Sequence, residues 1–239
     1  MNNTRKTQTC IGFMVAAAVA VSVYSVVESH SLHLYFALTI FAFAAITSRM
    51  KVRLPGINGN MSVNLPFLLA AIVNLSAAEA VAITCASTLV QCWPKKGAKL
   101  KLEQMTFNLS MMTFATCLAN VVFRASIQRD AAWSMPLALA LATATLLLGQ
   151  TIPVASIVSL SEGKPAFFTF RNVVQLSFPY YAVSAGVVSM IQTVGSHMGW
   201  PLALGVFPLM YGIHASYRLY FSKMAEAGSS PALARAAHA

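Results

Sequence analysis

Seven polar side chains in this 239-residue sequence stand in or beside long apolar stretches: Asn58, Asn60, Asn64, Asn74, Glu79, Asn108 and Gln150. A carboxamide carries two N–H donors and an acceptor oxygen, and a carboxylate accepts at both oxygens. Taken into hydrocarbon, either group is costly unless it finds a partner. The chemistry open to these residues is hydrogen bonding, to a bound molecule or to a neighbouring helix. They form the candidate ligand-binding set, and helix-to-helix bonding is the competing role for each.

Local context sharpens both readings. Asn58, Asn60 and Asn64 follow Leu54-Pro55-Gly56, and Gly and Asn tolerate turn geometry, so this stretch also suits a tight re-entry turn. Asn74 and Glu79 flank a break between two short apolar runs. Glu79 is placed to cap the helix that follows, where the helix dipole favours a carboxylate. Asn108 and Asn120 are twelve residues apart, about 120° round a helix, so they form no single stripe and each suits an interhelical bond. Gln150 lies three residues before Pro153. That proline leaves the Gly149 carbonyl without its helical donor and favours a kink, which suits a hinge, a binding-site wall or simple packing.

Catalytic constellations are not found. The six acidic residues are dispersed, which leaves no carboxylate pair for acid–base work. His30 and His33 share one helical side by spacing, but no third ligand is near and they read as interfacial histidines. Cys10, Cys85, Cys92 and Cys117 form no CxxC or Cys/His cluster. Cys85 and Cys117 fall inside apolar runs, where cysteine behaves as a small hydrophobe. No Gly-rich phosphate loop, GxSxG or HExxH occurs. The expectation is a protein with no enzymatic activity and no metal; the sequence leaves any cofactor unknown.

The elements that must position these groups are membrane helices. Hydrophobic residues make up 57% of the chain and charged ones 9%, against about 25% charged in a soluble domain. Mean hydropathy is +0.67. Eight apolar runs cover roughly 10–27, 32–47, 63–77, 79–93, 104–123, 135–159, 174–194 and 201–221. Six reach or approach the ~20 residues a crossing helix needs. The third and fourth are about 15 residues each, so they form either two short spans or a helical hairpin that other helices cover. The sequence predicts an all-α, polytopic transmembrane helical bundle over residues 1–222 and an Ala-rich disordered tail over 223–239. The first run follows Arg5 and Lys6, as in a signal peptide, but no small-x-small cleavage site follows it, so it reads as an uncleaved first span. Trp93, Trp133 and Trp200 fall at run ends, and Tyr180 and Tyr181 open the seventh run, all as interfacial anchors.

A net charge of +10 would suggest nucleic acid in a soluble protein. Here the basic residues sit in short groups between apolar runs without interleaved aromatics, which suits anionic headgroups and excludes nucleic acid as a partner. With the N-terminus inside and every run crossing, fourteen Lys and Arg fall on the inner side, and only Arg124 and Arg129 fall outside. This bias predicts a bacterial inner-membrane protein with both termini cytoplasmic. The sidedness is the same if the third and fourth runs form a non-crossing hairpin.

The order of motifs also carries a resemblance. Two spans lead to Leu54-Pro55-Gly56, Met61-Ser62 and Leu65-Pro66-Phe67, then a hairpin broken near Ala78-Glu79, then a basic loop and a span beginning Phe107-Asn108. A proline-kinked span, Ser161-Glu162-Gly163-Lys164, Phe178-Pro179-Tyr180-Tyr181, Pro208-Leu209 and Tyr217-Arg218-Leu219-Tyr220 follow. Over residues 10–222 this resembles the membrane-associated sensor (MASE-type) regions found N-terminal to HD-GYP phosphodiesterases and GGDEF cyclases. The middle of the chain is similar to the S-components of energy-coupling-factor vitamin transporters, with Ala77-Ala78-Glu79 in place of their Gly-Pro break. The first resemblance implies a sensor or ligand-binding module that passes its signal to another membrane or cytoplasmic signalling protein. The second implies a small-solute transporter or its substrate-binding subunit. An assembly or scaffold subunit of a membrane complex is a third reading. In each, the lipid bilayer is a partner.

Overall fold

A computed structural model describes residues 2–28, 33–53, 60–94, 100–129, 135–163 and 165–198, with seven further positions between 208 and 223. Among the described residues are seven helices: α1 (Asn2–Glu28), α2 (Leu34–Ser48), α3 (Leu65–Asn74), α4 (Ala77–Cys92), α5 (Leu102–Arg129), α6 (Met135–Glu162) and α7 (Ala166–Met198). Two short strands, β1 (Lys51–Arg53) and β2 (Asn60–Ser62), lie between α2 and α3. Asn58, the Pro55-Gly56 turn, the apolar run 201–221 as an element and the tail 224–239 lie outside the described residues.

Among the described residues, four helices are long and apolar enough to cross a membrane: Arg5–Glu28, Leu102–Gln128, Met135–Glu162 and Ala166–Gln192. At 1.5 Å per residue each exceeds the roughly 30 Å hydrocarbon thickness. The outward faces carry large apolar side chains, among them Phe13, Val26, Leu34, Leu38, Leu148, Ile152 and Phe178. Thr84, Ser87, Thr113, Thr116, Thr143, Thr151 and Ser184 are buried inside. Small hydroxyl-bearing residues let helix backbones approach closely, and apolar bulk turned outward suits lipid. The chain is a helical membrane protein.

The remaining helices are short. The second apolar run, expected to approach full span length, yields a helix of 15 residues in α2, because the chain turns into the β1–β2 ladder just beyond it. That ladder is antiparallel, pairing Lys51 with Ser62 and Arg53 with Asn60. Val63 N–H donates to the Met50 carbonyl at 3.2 Å, which carries the pairing to the doorstep of α3. The sequence predicted a turn here but not strands. Three-residue strands carry too little alternation to register as a pattern.

α3 is buried within the bundle. Pro66 stands in its first turn, where the missing N–H costs nothing. Leu68, Ala71 and Leu75 belong to one core cluster with residues of α1, α2, α4 and α5. Leu65, Leu69 and Ile72 belong to another with residues of α5, α6 and α7. α3 is apolar on all sides and is enclosed by its neighbours. It ends at Asn74, and α4 starts afresh after Ser76. Across the second cluster α5 and α6 close on a small-residue contact: a Cβ added at Gly149 would lie 2.9 Å from Ala115 Cβ. α6 ends on Gly163, at φ +68, whose N–H donates to the Ser159 carbonyl at 2.9 Å. A left-handed residue past a helix end is the usual glycine stop.

Candidate functional site

The two ends of α3 face different environments, and the candidate polar residues divide between them. At its C-terminal end, the break before α4 exposes carbonyls that no helical N–H reaches. Asn120, on α5, donates from Nδ2 to the Ile72 carbonyl at 2.9 Å and reaches the Leu75 carbonyl at 3.5 Å. Arg124, one turn on, donates to the same Leu75 carbonyl at 2.7 Å. Ser76 and Glu79 form a reciprocal capping box that opens α4. In it Ser76 N–H donates to Glu79 Oε2 at 3.0 Å, and the Ser76 hydroxyl donates to it at 2.7 Å. The other carboxylate oxygen, Oε1, accepts from the His33 backbone N–H ahead of α2. Asn74 donates to the Ala70 carbonyl within its own helix at 2.9 Å. This end is wired together by its own side chains. The capping role expected of Glu79 and the interhelical role expected of Asn120 are both present.

The N-terminal end of α3 borders a cavity of about 440 Å³ between α1, α3, α4, α5, α6 and α7. That volume falls within the 300–1,000 Å³ range of small-molecule sites. Three of the sequence-predicted residues, Asn64, Asn108 and Gln150, line it; Asn74 and Glu79 do not. Asn60 belongs to β2, which leads into this end of α3. Thr7 of α1, Glu103 and Gln104 at the start of α5, and Ser161 near the end of α6 line the outer part. The Gly149–Ala115 contact sets Gln150 beside the middle of α5, twelve residues or about 18 Å along the helix from Glu103. Leu68, Phe107, Met111, Met112 and Val154 supply apolar walls.

Two adjacent tyrosines on α7 organise the inner part. Tyr180 Oη accepts from the Leu65 N–H at 3.3 Å, which satisfies a free amide at the start of α3. Tyr181 donates from Oη to Gln150 Oε1 at 2.7 Å. The two rings meet edge to face, with centroids 6.4 Å apart. Tyr180 is 2% exposed and Tyr181 6%, so the interfacial placement expected of them from sequence is corrected. The available signal was the spacing of Ser177, Tyr180, Tyr181, Ser184 and Val188, which marks one buried face of α7.

Among the described residues, the buried Gln150 Nε2 and Thr88 Oγ1 at the cavity have no partner. Thr88 is 1% exposed. Several other buried hydroxyls bond back to the preceding turn, as Thr143, Thr151 and Ser184 do. The carbonyl that Thr88 would use in that way, that of Thr84, accepts instead from Ser87 Oγ at 3.1 Å. Asn108 donates from Nδ2 to Cys92 Sγ at 3.7 Å, joining α5 to α4 beside the cavity. Thr88 was absent from the sequence-level set, because one hydroxyl among many in α4 carries no distinguishing pattern. No group of three or more metal-ligating side chains exists among the described residues.

No protein-family model, no curated protein and no solved structure matches this chain. Its functional reading therefore rests on the cavity and on the side chains that surround it.

Proposed function

We propose that this protein is a non-enzymatic membrane module that binds a small molecule in the cavity at the N-terminal end of α3. One observation carries the reading. Gln150 lines this cavity, and its buried Nε2 has no partner among the described residues. A buried donor left unmade costs about 1–3 kcal/mol, and a bound molecule would recover that cost. On the topology drawn from the basic residues, the start of α5, which lines the cavity, is cytoplasmic. The MASE-like order of motifs supports a sensor role for this module.

A transporter is the second reading. The cavity is lined at the start of α5, whereas the far end of α3 is held by Asn120, Arg124 and Glu79. A polar cavity inside a helical bundle also suits one state of an alternating-access protein. The test is native mass spectrometry of the full chain released from mild detergent, beside a Gln150→Leu variant. A molecule of constant mass retained by the unaltered protein and lost from the variant is the expected result. Equal retention by both, or none by either, overturns the site. Ligand movement into vesicles that contain the protein alone would favour transport over sensing.

A further inference from the structure

The polar groups left over at the cavity also define what they would hold. We infer that the ligand is an uncharged, largely apolar molecule with a carbonyl-type oxygen at its inner end, accepting from Gln150 Nε2, with Thr88 as a second polar contact on the α4 wall. This rests on the binding reading above and narrows it to a chemical class.

Three observations lead there. First, Gln150 is oriented with its oxygen towards Tyr181 and its nitrogen towards the cavity. Tyr181 donates to Gln150 Oε1, so the oxygen end of the carboxamide is engaged and the nitrogen end remains. A carboxamide nitrogen only donates, and the ligand atom facing it must accept. Second, the site is poorly suited to an anion. The start of α3 would attract negative charge through its free amides, but the Leu65 amide donates to Tyr180. Among the described lining residues Glu103 alone carries a formal charge, and it is negative. Third, Leu68, Met111, Met112 and Val154 form the walls beside Gln150. Flexible thioethers adapt to an apolar body of irregular shape.

The test uses three naphthalenes of one shape with the full chain in mild detergent: 2-acetylnaphthalene, 2-isopropenylnaphthalene and 2-naphthoate. Equilibrium dialysis against protein-free micelles removes partition into detergent. The ketone should bind, and both the hydrocarbon and the carboxylate should bind at least about tenfold more weakly, since every 1.4 kcal/mol is tenfold. Thr88→Val and Gln150→Leu should each bring the ketone down towards the hydrocarbon. Gln150→Leu with Tyr181→Phe removes both members of the α6–α7 bond and serves if the single variant folds poorly.

Equal binding of ketone and hydrocarbon, or preference for the carboxylate, overturns the inferred class but leaves the cavity a binding site. If no probe binds but a molecule co-purifies, its structure decides: a neutral carbonyl compound supports the inference, and an ion or hydrocarbon overturns it. If no probe binds and nothing co-purifies, the binding reading itself fails.

Discussion

Replacing Asn120 by leucine separates the wired end of α3 from the cavity end. Asn120 is 3% exposed, and its Nδ2 donates to the Ile72 carbonyl at 2.9 Å. The usual helical donor to that carbonyl would be the Ser76 N–H, which instead bonds Glu79 Oε2 at 3.0 Å. Leucine fills nearly the same volume and offers no donor, so the Ile72 carbonyl becomes a buried acceptor with nothing to accept. Such a group costs about 1–3 kcal/mol in a soluble protein, and interhelical bonds within membranes average about 0.6 kcal/mol with a maximum near 1.7. Arg124 still holds the Leu75 carbonyl at 2.7 Å, so one acceptor is orphaned rather than two. The expected loss is therefore roughly 1–2 kcal/mol, read as a shifted midpoint in reversible unfolding by mixed detergent followed by circular dichroism. Affinity for the cavity ligand should not change, because Asn120 does not line the cavity. Unchanged stability, or lost affinity at unchanged stability, would refute the division of labour between the two ends of α3.

Gly149→Ala should destabilise the bundle by about 1–3 kcal/mol, because the new methyl meets the rigid Ala115 Cβ at 2.9 Å; Ala115→Gly should restore the unfolding midpoint, and failure to restore it would show that the contact is not the cause. Gln150→Leu strands the Tyr181 hydroxyl, whereas adding Tyr181→Phe removes both partners and should recover most of the stability lost; a double variant less stable than the single one would count against the bond. Reporter fusions at Lys99 and Ala239 should both read cytoplasmic, and a periplasmic signal at either would overturn the topology drawn from the basic residues.

The helical membrane character was legible because it depends on sums: apolar run length and the scarcity of charge survive any detail of packing. The α3–α4 break was legible as well, since Asn74 and Glu79 flank the join of two short apolar runs and Glu79 suits a helix start; the part Ser76 takes in the capping box was not. The β1–β2 ladder was not, because three residues of backbone pairing leave almost no trace in side-chain order. The placement of Tyr180 and Tyr181 misled for another reason. Tyrosine is amphipathic and suits a headgroup boundary, and only knowing that α3 starts against α7 shows what the two hydroxyls do inside.

The candidate amides show where sequence reasoning reaches its limit. Asn74, Asn108, Asn120 and Gln150 are alike in type and in apolar surroundings, and cost alone makes each a functional candidate. Their partners separate them. Asn74 returns to its own helix, Asn120 closes the end of a neighbour, and Asn108 bonds a cysteine across to α4. Gln150 is held by its oxygen and keeps its nitrogen unpaired at a cavity wall. A buried polar group whose bonds are all internal is explained by the fold. One held in place by half of its bonding capacity, with the other half at a cavity wall, is the group that the proposed ligand would engage.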